Sequence, residues 1–451
     1  VDVSVNTDFK GEWLRNALGV SSALHVVLAR RFLDTLLAAL PGSGIECLLV
    51  VDAEQSDLPQ VPGVRIVGGG QSAFDPLDVD DLQVDPAEVA CVLFTSGTTG
   101  MSKAVEIAWA QLFATCCTGT VYERPGPQVY YLPYGPHHLS GRSALYRAAM
   151  TGGHAVVRES FSTSAFWSDV REHGCTWTIL YGAPTRFLAA LPEQADDLDN
   201  PLELVLMCPL MPETDAVKRR YGLRAFSVWG MTETGNPFVV PPEAANSANV
   251  GNCGRPSEGV QARLVDPHDR PVPAGEPGEL VLRSDKPWMF TTGYQNQPEA
   301  TAKAWRNGWF HTGDMFRQND KGEFLYLDRS KDMIRRRGEN ISSVELEAAV
   351  RAFAGVEEAA AIGVPSDMGD EEVLIAVVAR APGAVDPAAL LDFMKERVPR
   401  FALPRYVRLM SALPKTPATQ RVQKKQLRAE GVTPDTWEAP ARFRSARGPG
   451  S

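Results

Sequence analysis

The sequence predicts an α/β fold with two domains. A large N-terminal domain with mostly parallel sheets covered by helices precedes a small α+β domain. The length of 451 residues exceeds what one compact core usually holds, so two domains are expected. Short apolar runs alternate with helix-type repeats over most of the chain, which is typical of a parallel sheet covered by helices. Shorter helices and strands interleave over the last third, which indicates a separate α+β unit.

The period of the apolar residues predicts each element. Residues 9–40 have helix-type spacing, residues 47–51 read as a strand, and the acidic stretch 75–85 indicates a surface loop. In order, the remaining predictions for the first domain (1–327) are strand 89–94, helix 109–117, strand 155–157, helix 165–173, strand 176–180, helix 184–191 and strands 278–283 and 324–326. For the second domain (328–436) they are helix 343–353, strands 356–364 and 371–380, helix 387–398 and strand 406–409. A disordered tail is predicted for 437–451.

Composition and charge narrow the functional classes. The net charge of −10 argues against nucleic acid as a partner, and a small-molecule ligand fits better. The seven cysteines are odd in number and include no C-x-x-C pair, so neither a disulfide framework nor a zinc ribbon is indicated. We see neither a membrane-spanning apolar run nor a basic-then-apolar N-terminus. These features predict a cytoplasmic protein without a membrane span.

A loop rich in glycine and hydroxyl side chains follows the end of an apolar strand. It is composed of Thr95, Ser96, Gly97, Thr98, Thr99, Gly100, Met101, Ser102 and Lys103. Glycines let backbone N–H groups approach a phosphate, and the hydroxyls add donors and a metal ligand. The order of glycines and lysine differs from that of the P-loop of NTPases. Taken alone, the loop fits an ordinary Ser/Gly turn as well as a phosphate cradle.

The loop resembles the phosphate loop of the adenylate-forming superfamily, which includes acyl-CoA ligases, peptide-synthetase adenylation domains and luciferases. Further segments occur in that family's order: Trp229-Gly230-Met231-Thr232-Glu233, Gly278-Glu279-Leu280, Gly308-Trp309-Phe310-His311-Thr312-Gly313-Asp314 and Asp328-Arg329-Ser330-Lys331-Asp332. These ordered matches cover most of the chain, which is therefore identified as a member of the acyl-CoA ligase branch. Its phosphate loop lies nearer the start than is usual in the family, so further N-terminal sequence is expected before Val1.

The resemblance implies where ATP and Mg²⁺ would bind. Thr95 to Gly100 and Lys103 would hold the phosphates, and Thr232 would touch a phosphate as well. Glu233 would bind Mg²⁺, a hard cation that prefers oxygen ligands, together with Thr98. The plainer alternative for Glu233 is a solvated surface carboxylate.

The resemblance also implies the adenine and ribose contacts. Trp229 would stack on the adenine, with Gly230 and Met231 beside it. Asp314 would accept hydrogen bonds from both ribose hydroxyls, and Arg329 would add a donor. The alternative for Arg329 is a surface ion pair of little energetic value.

Other segments match the family's acid, hinge and coenzyme A regions. His138 is the predicted gate of the acid pocket, with His137 as second choice and a surface histidine as the alternative. Lys331 is at the hinge about which the second domain, a mobile lid in this family, would rotate between adenylation and thioester formation. Four residues would meet the phosphates and pantetheine arm of coenzyme A, unless they form a solvated basic face: Arg335, Arg336, Arg337 and Gly338.

Two departures from the family pattern bear on the chemistry. Met207 and Cys208 stand where the family often has glycines against the adenine. Arg421 lies nearest the position of the family's terminal lysine, which serves adenylation, and Lys424 is an alternative. Arginine keeps the charge but presents a planar fork, so the exchange is not conservative.

The sequence therefore predicts an acyl-CoA ligase that uses ATP, Mg²⁺ and coenzyme A to convert a carboxylic acid through an acyl adenylate. Because of Arg421, adenylation could be impaired, and a partner ligase would then supply the adenylate. One alternative is an enzyme that loads a carrier protein, although no carrier domain and no Phe-Asp-x-Ser segment is present. Another is a non-catalytic protein that binds AMP or an acyl adenylate.

Overall fold

The structure is a computed structural model. It describes residues 1–69, 83–95, 102–329, 332–336, 339–366, 371–395, 397–398, 402–416 and 420–440. The chain divides into two compact units, the first made of Val1–Ala262 and Leu282–His311 and the second of Arg263–Val281 and Thr312–Ser451. The predicted α/β class is confirmed, whereas the domain boundary at residue 328 stays a prediction.

The helices and strands are numbered in chain order over the described residues. The α-helices are α1 Gly11–Ser21, α2 Leu33–Leu37, α3 Trp109–Cys117, α4 Leu139–Met150, α5 Phe166–Glu172, α6 Gly182–Ala189, α7 Thr214–Tyr221, α8 Pro298–Ala304, α9 Ser343–Arg351, α10 Pro387–Met394 and α11 Lys424–Glu430. The strands up to residue 256 are β1 Asp2–Ser4, β2 His25–Leu28, β3 Cys47–Val50, β4 Arg65–Gly68, β5 Val89–Thr95, β6 Lys103–Ala108, β7 Val129–Leu132, β8 His154–Val157, β9 Trp177–Tyr181, β10 Leu204–Cys208, β11 Arg224–Met231, β12 Gly235–Val240 and β13 Arg255–Pro256. The later strands are β14 Val260–Val265, β15 Gly278–Ser284, β16 Trp305–Arg306, β17 Trp309–Gln318, β18 Phe324–Arg329, β19 Ile334–Arg336, β20 Glu339–Ile341, β21 Val356–Pro365, β22 Glu371–Ala379, β23 Tyr406–Met410 and β24 Trp437–Glu438.

A seven-stranded sheet of order β13-β12-β11-β10-β9-β7-β8 is the centre of the first unit. The strands from β8 to β11 are parallel, and β12 and β13 are antiparallel to their neighbours. Successive residues of β10 face opposite cores, since Val205 belongs to one cluster and Leu206 to the other. A sheet buried on both faces needs nearly continuous apolar strands, as β9 and β10 have.

The parallel strands bring several predicted site residues to one edge of the sheet. The carboxyl ends of β7 and β11 lie at the same edge because the strands are parallel, and ligands of open α/β sheets bind at such edges. His138 follows β7, and Thr232 and Glu233 follow β11. Two smaller sheets of the first unit have the orders β1-β5-β6 and β2-β3-β4.

The prediction of helix-type spacing over residues 9–40 is wrong in its middle. Helices α1 and α2 form, but β2 lies between them and pairs in parallel with β3. The β-branched Val26 and Val27 favour a strand, and pairing with β3 satisfies their backbone groups. The helical spacing of apolar residues in the segments before and after β2 led to the prediction of helix for this short strand as well.

A four-stranded sheet of order β21-β22-β23-β24 is the centre of the second unit. Helices α9 and α10 contribute to the core on one face, and Leu427 of α11 contributes to the core on the other. The predicted disordered tail is wrong at its start, because Trp437 pairs with Val407 in β23 and Ala439 is buried. A further sheet has the order β14-β15-β17-β16, with β18 paired to β17. No helix among the described residues is long and apolar enough to cross a membrane.

A buried ion pair lies in the first unit. Arg147 on α4 is 2.7 Å from Glu123, and their side chains are only 5% and 6% exposed. The Arg147 Nε also donates to the Cys116 carbonyl, and Tyr130 donates to the other Glu123 oxygen. Burial of both charges is tolerated because each is hydrogen-bonded.

We predict that Glu123→Ala lowers the free energy of unfolding by about 3–5 kcal/mol, because it leaves the Arg147 charge buried without its carboxylate. The matched control is Glu12→Ala, which removes an exposed pair with Arg15 and is expected to cost under about 1 kcal/mol. Denaturant titrations of both variants measure the difference. Equal effects would contradict the importance given to the buried pair.

Candidate active site

The two ends of the predicted phosphate loop lie opposite one another. Thr95 ends β5, Lys103 begins β6, and the two residues pair in the antiparallel ladder. The Asn16 side chain donates to the Ser102 carbonyl at 3.2 Å. The intervening residues Ser96, Gly97, Thr98, Thr99 and Gly100 lie outside the described residues, so their predicted phosphate contacts stay predictions.

The turn that carries Thr232 and Glu233 connects β11 to β12. The register of these strands shifts between Trp229 and Met231. A Cβ at Gly230 would lie 2.0 Å from the Gly235 carbonyl oxygen, so this close approach requires glycine. Gln111 of α3 donates to the Thr232 carbonyl at 2.8 Å. The turn is therefore fixed by backbone geometry and by a helix packed against it.

Glu233 lies in a cluster with the buried Tyr294 and the partly buried Lys103. The Tyr294 hydroxyl donates to Glu233 Oε1 at 2.9 Å, and the two residues are 6% and 5% exposed. The Lys103 Nζ lies 4.4 Å from the centroid of the Tyr294 ring. Burial lowers the pKa of Lys103, and the charge of Glu233 opposes that shift. Burial and then the charge of Glu233 raise the pKa of Tyr294, so its hydroxyl stays protonated.

Sequence reasoning missed Tyr294. Its residue type suggested only packing, and 61 residues separate it from Glu233. The segment that carries it runs along β6, where Glu106 N–H donates to the Gly293 carbonyl at 3.1 Å and Gln295 N–H donates to the Ala104 carbonyl at 2.8 Å. The local sequence Thr291-Thr292-Gly293-Tyr294 is the one feature near Tyr294 that could have marked this segment as part of a site.

His138 and His137 follow β7, at the amino end of α4. Their ring centroids are 4.4 Å apart. Burial lowers the pKa of His138, and burial followed by the His138 charge lowers the pKa of His137 to about 4. Both imidazoles are therefore neutral at pH 7. His138 Nε2 is buried without a hydrogen-bond partner among the described residues, but its role as a gate stays a prediction.

Trp229 and Cys208 lie in neighbouring parallel strands of the central sheet, Cys208 at the end of β10 and Trp229 two residues before the end of β11. Trp229 is 9% exposed, and its ring meets Phe238 at 5.6 Å in an edge-to-face arrangement. The Cys208 thiol donates to the Val228 carbonyl at 3.2 Å, and burial raises its pKa to about 12. Cys208 is thus an inert packing residue rather than a nucleophile. The predicted stacking of Trp229 on adenine stays a prediction.

Asp314 and Arg329 come together in the second unit as paired residues of β17 and β18. Arg329 Nε lies 3.5 Å from Asp314 Oδ1, and the two side chains are 28% and 11% exposed. Burial, followed by the charges of Asp314 and Asp328, raises the pKa of nearby Tyr326. The pair can offer a carboxylate and a guanidinium to one ligand, as predicted for a ribose.

Arg421 and Lys424, the two candidates for the position of the family's terminal lysine, have different surroundings. Desolvation of the Arg421 guanidinium, followed by the like charge of Arg329, lowers the pKa of Arg421, whereas Asp314 raises it, so the guanidinium lies within electrostatic range of both residues. Lys424 is bound elsewhere, with its Nζ 2.7 Å from Glu347 Oε1 in a pair that is 13% and 12% exposed. Lys424 also donates to Ser343. Arg421 is therefore the better candidate.

The residues that flank the predicted hinge are firmly held. Asp328 is 2% exposed and accepts hydrogen bonds from the Ser343 N–H, at 2.8 Å, and from the Ser343 hydroxyl. Asp332 pairs with Arg428 at 2.8 Å. Lys331 itself lies outside the described residues and its hinge role stays a prediction.

The predicted coenzyme A loop is only partly described. Arg337 and Gly338 lie outside the described residues, and Arg335 is described through its backbone in β19. Arg336 is 7% exposed, forms a 2.5 Å ion pair with Glu372 and donates to the Leu403 carbonyl. These contacts hold the Arg336 side chain in the second unit, and its contact with coenzyme A stays a prediction.

The residues around Glu233 fit Mg²⁺. Protein-bound Mg²⁺ is usually held by one or two carboxylates together with substrate phosphates. Glu233 is a buried carboxylate fixed by Tyr294 and lies in the same unit as Lys103. Within the described ranges, no group of three or more His, Cys, Asp or Glu could hold a metal ion. The seven cysteines are free thiols.

The fold and these residues define an α/β protein of the adenylate-forming superfamily, which confirms the resemblance. The model of the AMP-binding enzyme family matches residues 1–294, and the model of the AMP-binding enzyme C-terminal domain matches residues 345–419. The chain therefore belongs to the AMP-binding enzyme family.

Curated relatives of similar sequence are named as coenzyme A ligases. The chain is 32% identical to a sulfoacetate–CoA ligase of Cupriavidus necator over 84% of this chain and 73% of that protein. It is 31% identical to a crotonobetaine/carnitine–CoA ligase of Proteus mirabilis, over 78% and 67%. It is also 31% identical to a feruloyl-CoA synthase of Amycolatopsis, over 89% and 82%.

Solved structures show the same fold. ATP-bound MatB from Rhodopseudomonas palustris has a TM-score of 0.79 and 23% identity, and the match covers 94% of this chain and 82% of that chain. The AMP complex of the O-succinylbenzoate coenzyme A synthetase MenE from Bacillus subtilis has a TM-score of 0.73 and 19% identity, with 95% of each chain covered.

We predict that Asp314→Asn weakens AMP binding by about 10- to 100-fold, because hydrogen bonds to a charged acceptor are replaced by neutral ones. The control is Asp392→Asn, which changes a half-exposed carboxylate paired with Lys395 in the same unit. Isothermal titration calorimetry with AMP compares the two. An unchanged affinity in Asp314→Asn would remove Asp314 from the nucleotide site.

Proposed function

We propose that the chain is an acyl-CoA ligase that makes an acyl-CoA thioester from a carboxylic acid through an acyl adenylate. The observation that carries the proposal is the cluster of the buried Glu233 and Tyr294 with the partly buried Lys103, beside the ends of the phosphate loop. A carboxylate and an ammonium in one desolvated place suit a phosphate chain and its divalent cation. The names of the curated relatives support coenzyme A as the acceptor.

In the first step, an oxygen of the acid attacks the α-phosphorus of ATP and pyrophosphate leaves. Bound Mg²⁺ would neutralise phosphate charge and help pyrophosphate depart. Glu233 would hold that ion. Lys103 would bind phosphate oxygens through its ammonium, whose charge interacts more strongly in this partly buried setting than in water. Asp314 and Arg329 would fix the ribose, so that binding energy orients the α-phosphorus toward the acid.

In the second step, the thiolate of coenzyme A attacks the acyl carbonyl and AMP leaves with its phosphate oxygen. The mixed anhydride is already activated, so this step depends on delivery of the thiol and on exclusion of water. The neutral His138 and His137 suit the neighbourhood of the acyl group, since an uncharged gate would not hold the carboxylate away from the phosphorus.

The proposal is tested by incubating the protein with ATP, Mg²⁺, coenzyme A and a panel of carboxylic acids that includes small sulfonated, aliphatic and aromatic members. We expect one class of acid to give equal amounts of AMP and acyl-CoA, measured by chromatography and mass spectrometry. AMP without thioester would favour transfer to a carrier protein. Tight AMP binding without turnover of any acid would favour a non-catalytic binding protein.

We predict that Glu233→Gln raises the Mg²⁺ concentration needed for half-maximal turnover, because an amide is a weaker ligand for a hard cation than a carboxylate. The control is Glu213→Gln, which changes a carboxylate paired with Arg186 at the start of α7. Superimposable Mg²⁺ titrations for Glu233→Gln and wild type would exclude Glu233 from the metal site.

We further propose that thioester formation is the faster half-reaction when the acyl adenylate is supplied. Arg421 stands in the place of the adenylation lysine, and Lys424 is engaged by Glu347. Loss of one well-placed cation at a developing phosphoryl charge costs about 10²–10³ in rate. The second step would not share this loss, and a partner ligase could supply the adenylate.

The test compares acid plus ATP with synthetic acyl-AMP, each with coenzyme A, in wild type and in Arg421→Lys. We expect the wild type to favour acyl-AMP and the variant to gain rate only from ATP. Equal wild-type rates from both starting points would contradict the preference while leaving the ligase proposal intact.

A further inference from the structure

We propose that Tyr294 is a positioning residue that fixes both charges of the phosphate and metal site, the Glu233 carboxylate through its hydroxyl and the Lys103 ammonium through its ring face. The inference rests on the proposed function and adds to it a residue that no motif pointed to. It concerns how this chain sets the geometry and charge of its metal ligand.

The position of Tyr294 is determined by the backbone on each side of it. Tyr294 forms an antiparallel bridge with Val105 of β6, and its N–H donates to Thr301 Oγ1 at 2.9 Å. Gln295 N–H donates to the Ala104 carbonyl at 2.8 Å. Lys103 begins the same strand, so the register with β6 brings the tyrosine ring beside the lysine.

The hydroxyl of Tyr294 reaches the carboxylate that the turn after β11 presents. It donates to Glu233 Oε1 at 2.9 Å, and the Thr291 N–H of the same segment donates to the Glu233 carbonyl at 2.7 Å. One segment therefore holds both the backbone and the side chain of Glu233. A phenol is a neutral donor, so it orients the carboxylate without removing the negative charge that a divalent cation needs.

The ring of Tyr294 holds the Lys103 ammonium in place without neutralising its charge. The ammonium lies 4.4 Å from the ring centroid, within the distance at which the negative face of an aromatic ring attracts a cation. This attraction holds the side chain but leaves its positive charge available to an anion. A carboxylate in the place of the ring would compete with phosphate for the same charge. The tyrosine thus restrains two opposite charges and neutralises neither.

A tyrosine that only filled the core would behave differently. Tyr294 does belong to an apolar cluster with Val105, Ile107 and Phe310, so its loss is expected to lower stability as well. A stability effect alone would not change how the protein responds to Mg²⁺. The Mg²⁺ dependence of nucleotide binding therefore separates positioning from packing.

The experiment uses the full chain and measures ATP binding by calorimetry at a series of Mg²⁺ concentrations, without acid or coenzyme A. For Tyr294→Phe, which keeps the ring and removes the hydroxyl, we expect the half-saturating Mg²⁺ concentration to rise about 10-fold, as for loss of a hydrogen bond to a charged group. ATP binding without Mg²⁺ should stay at the wild-type level. Tyr294→Leu should weaken ATP binding without Mg²⁺ as well, because the ring that holds Lys103 is gone.

The matched control is Tyr221→Phe. Tyr221 is 2% exposed, and its hydroxyl donates to the Leu188 carbonyl at 3.2 Å in another core of the same unit. We expect a similar loss of thermal stability with no change in the Mg²⁺ titration. If Tyr294→Phe does not fold, Thr301→Val, which removes the acceptor of the Tyr294 N–H, is expected to shift the Mg²⁺ titration in the same direction.

A wild-type Mg²⁺ titration in Tyr294→Phe, or an equal shift in Tyr221→Phe, would overturn the inference. If Tyr294→Phe does not fold and Thr301→Val is used in its place, an unchanged Mg²⁺ titration in Thr301→Val would also overturn the inference. Because acid and coenzyme A are absent from this measurement, its failure would leave the proposed thioester formation untouched. Conversely, a protein that binds Mg-ATP as expected but makes no thioester would overturn only the proposed function.

Discussion

The pairing of residues 291–295 with β6 is the constraint on which the candidate site residues of the first unit depend. These residues lie about 185 positions after β6 in the sequence. The Thr291 hydroxyl donates to the Glu106 carbonyl at 2.7 Å, and backbone hydrogen bonds join the two segments on either side of Val105. The pairing puts a buried tyrosine against Glu233 and Lys103. A buried carboxylate without such a partner would be energetically costly. The hydrogen bond from Tyr294 therefore stabilises the turn that carries Glu233 and also orients its carboxylate for a metal ion.

The second unit uses buried polar contacts in a similar way around its own site residues. Asp328, the last residue but one of β18, accepts hydrogen bonds from the N–H and hydroxyl of Ser343 at the start of α9, where the helix dipole favours a negative charge. Lys424 of α11 is taken up by Glu347 of α9. The strand that carries Arg329 and the helix that follows Arg421 are thus both tied to α9. These contacts leave Arg421, rather than Lys424, as the cation near Asp314 and Arg329.

Much of the fold followed from the sequence, because long apolar runs and clear helix signals dominate local structure. Helix α3 has the predicted bounds, and β9, β15 and β21 differ from prediction by a residue or so. The strand β2 and the terminal β24 were missed because their pairing partners lie elsewhere in the chain, and pairing rather than local pattern makes them strands. Glu233, Asp314 and Arg329 could be predicted as site residues because each lies in a contiguous motif. The place of Tyr294 beside Glu233 and the ion pair of Lys424 with Glu347 depend on contacts between segments distant in sequence. Local sequence patterns do not reveal such contacts.

The central claim is that the acid is activated as an acyl adenylate, with Glu233 and Lys103 serving the phosphates of ATP. The most direct measurement uses an acid that gives turnover, labelled with ¹⁸O in its carboxylate, and reads the product AMP by mass spectrometry. Attack of a carboxylate oxygen on the α-phosphorus, followed by departure of AMP from the carbonyl, moves one labelled oxygen into AMP. The account predicts one ¹⁸O in each AMP released with acyl-CoA. Label in inorganic phosphate or pyrophosphate, or AMP without label, would contradict it.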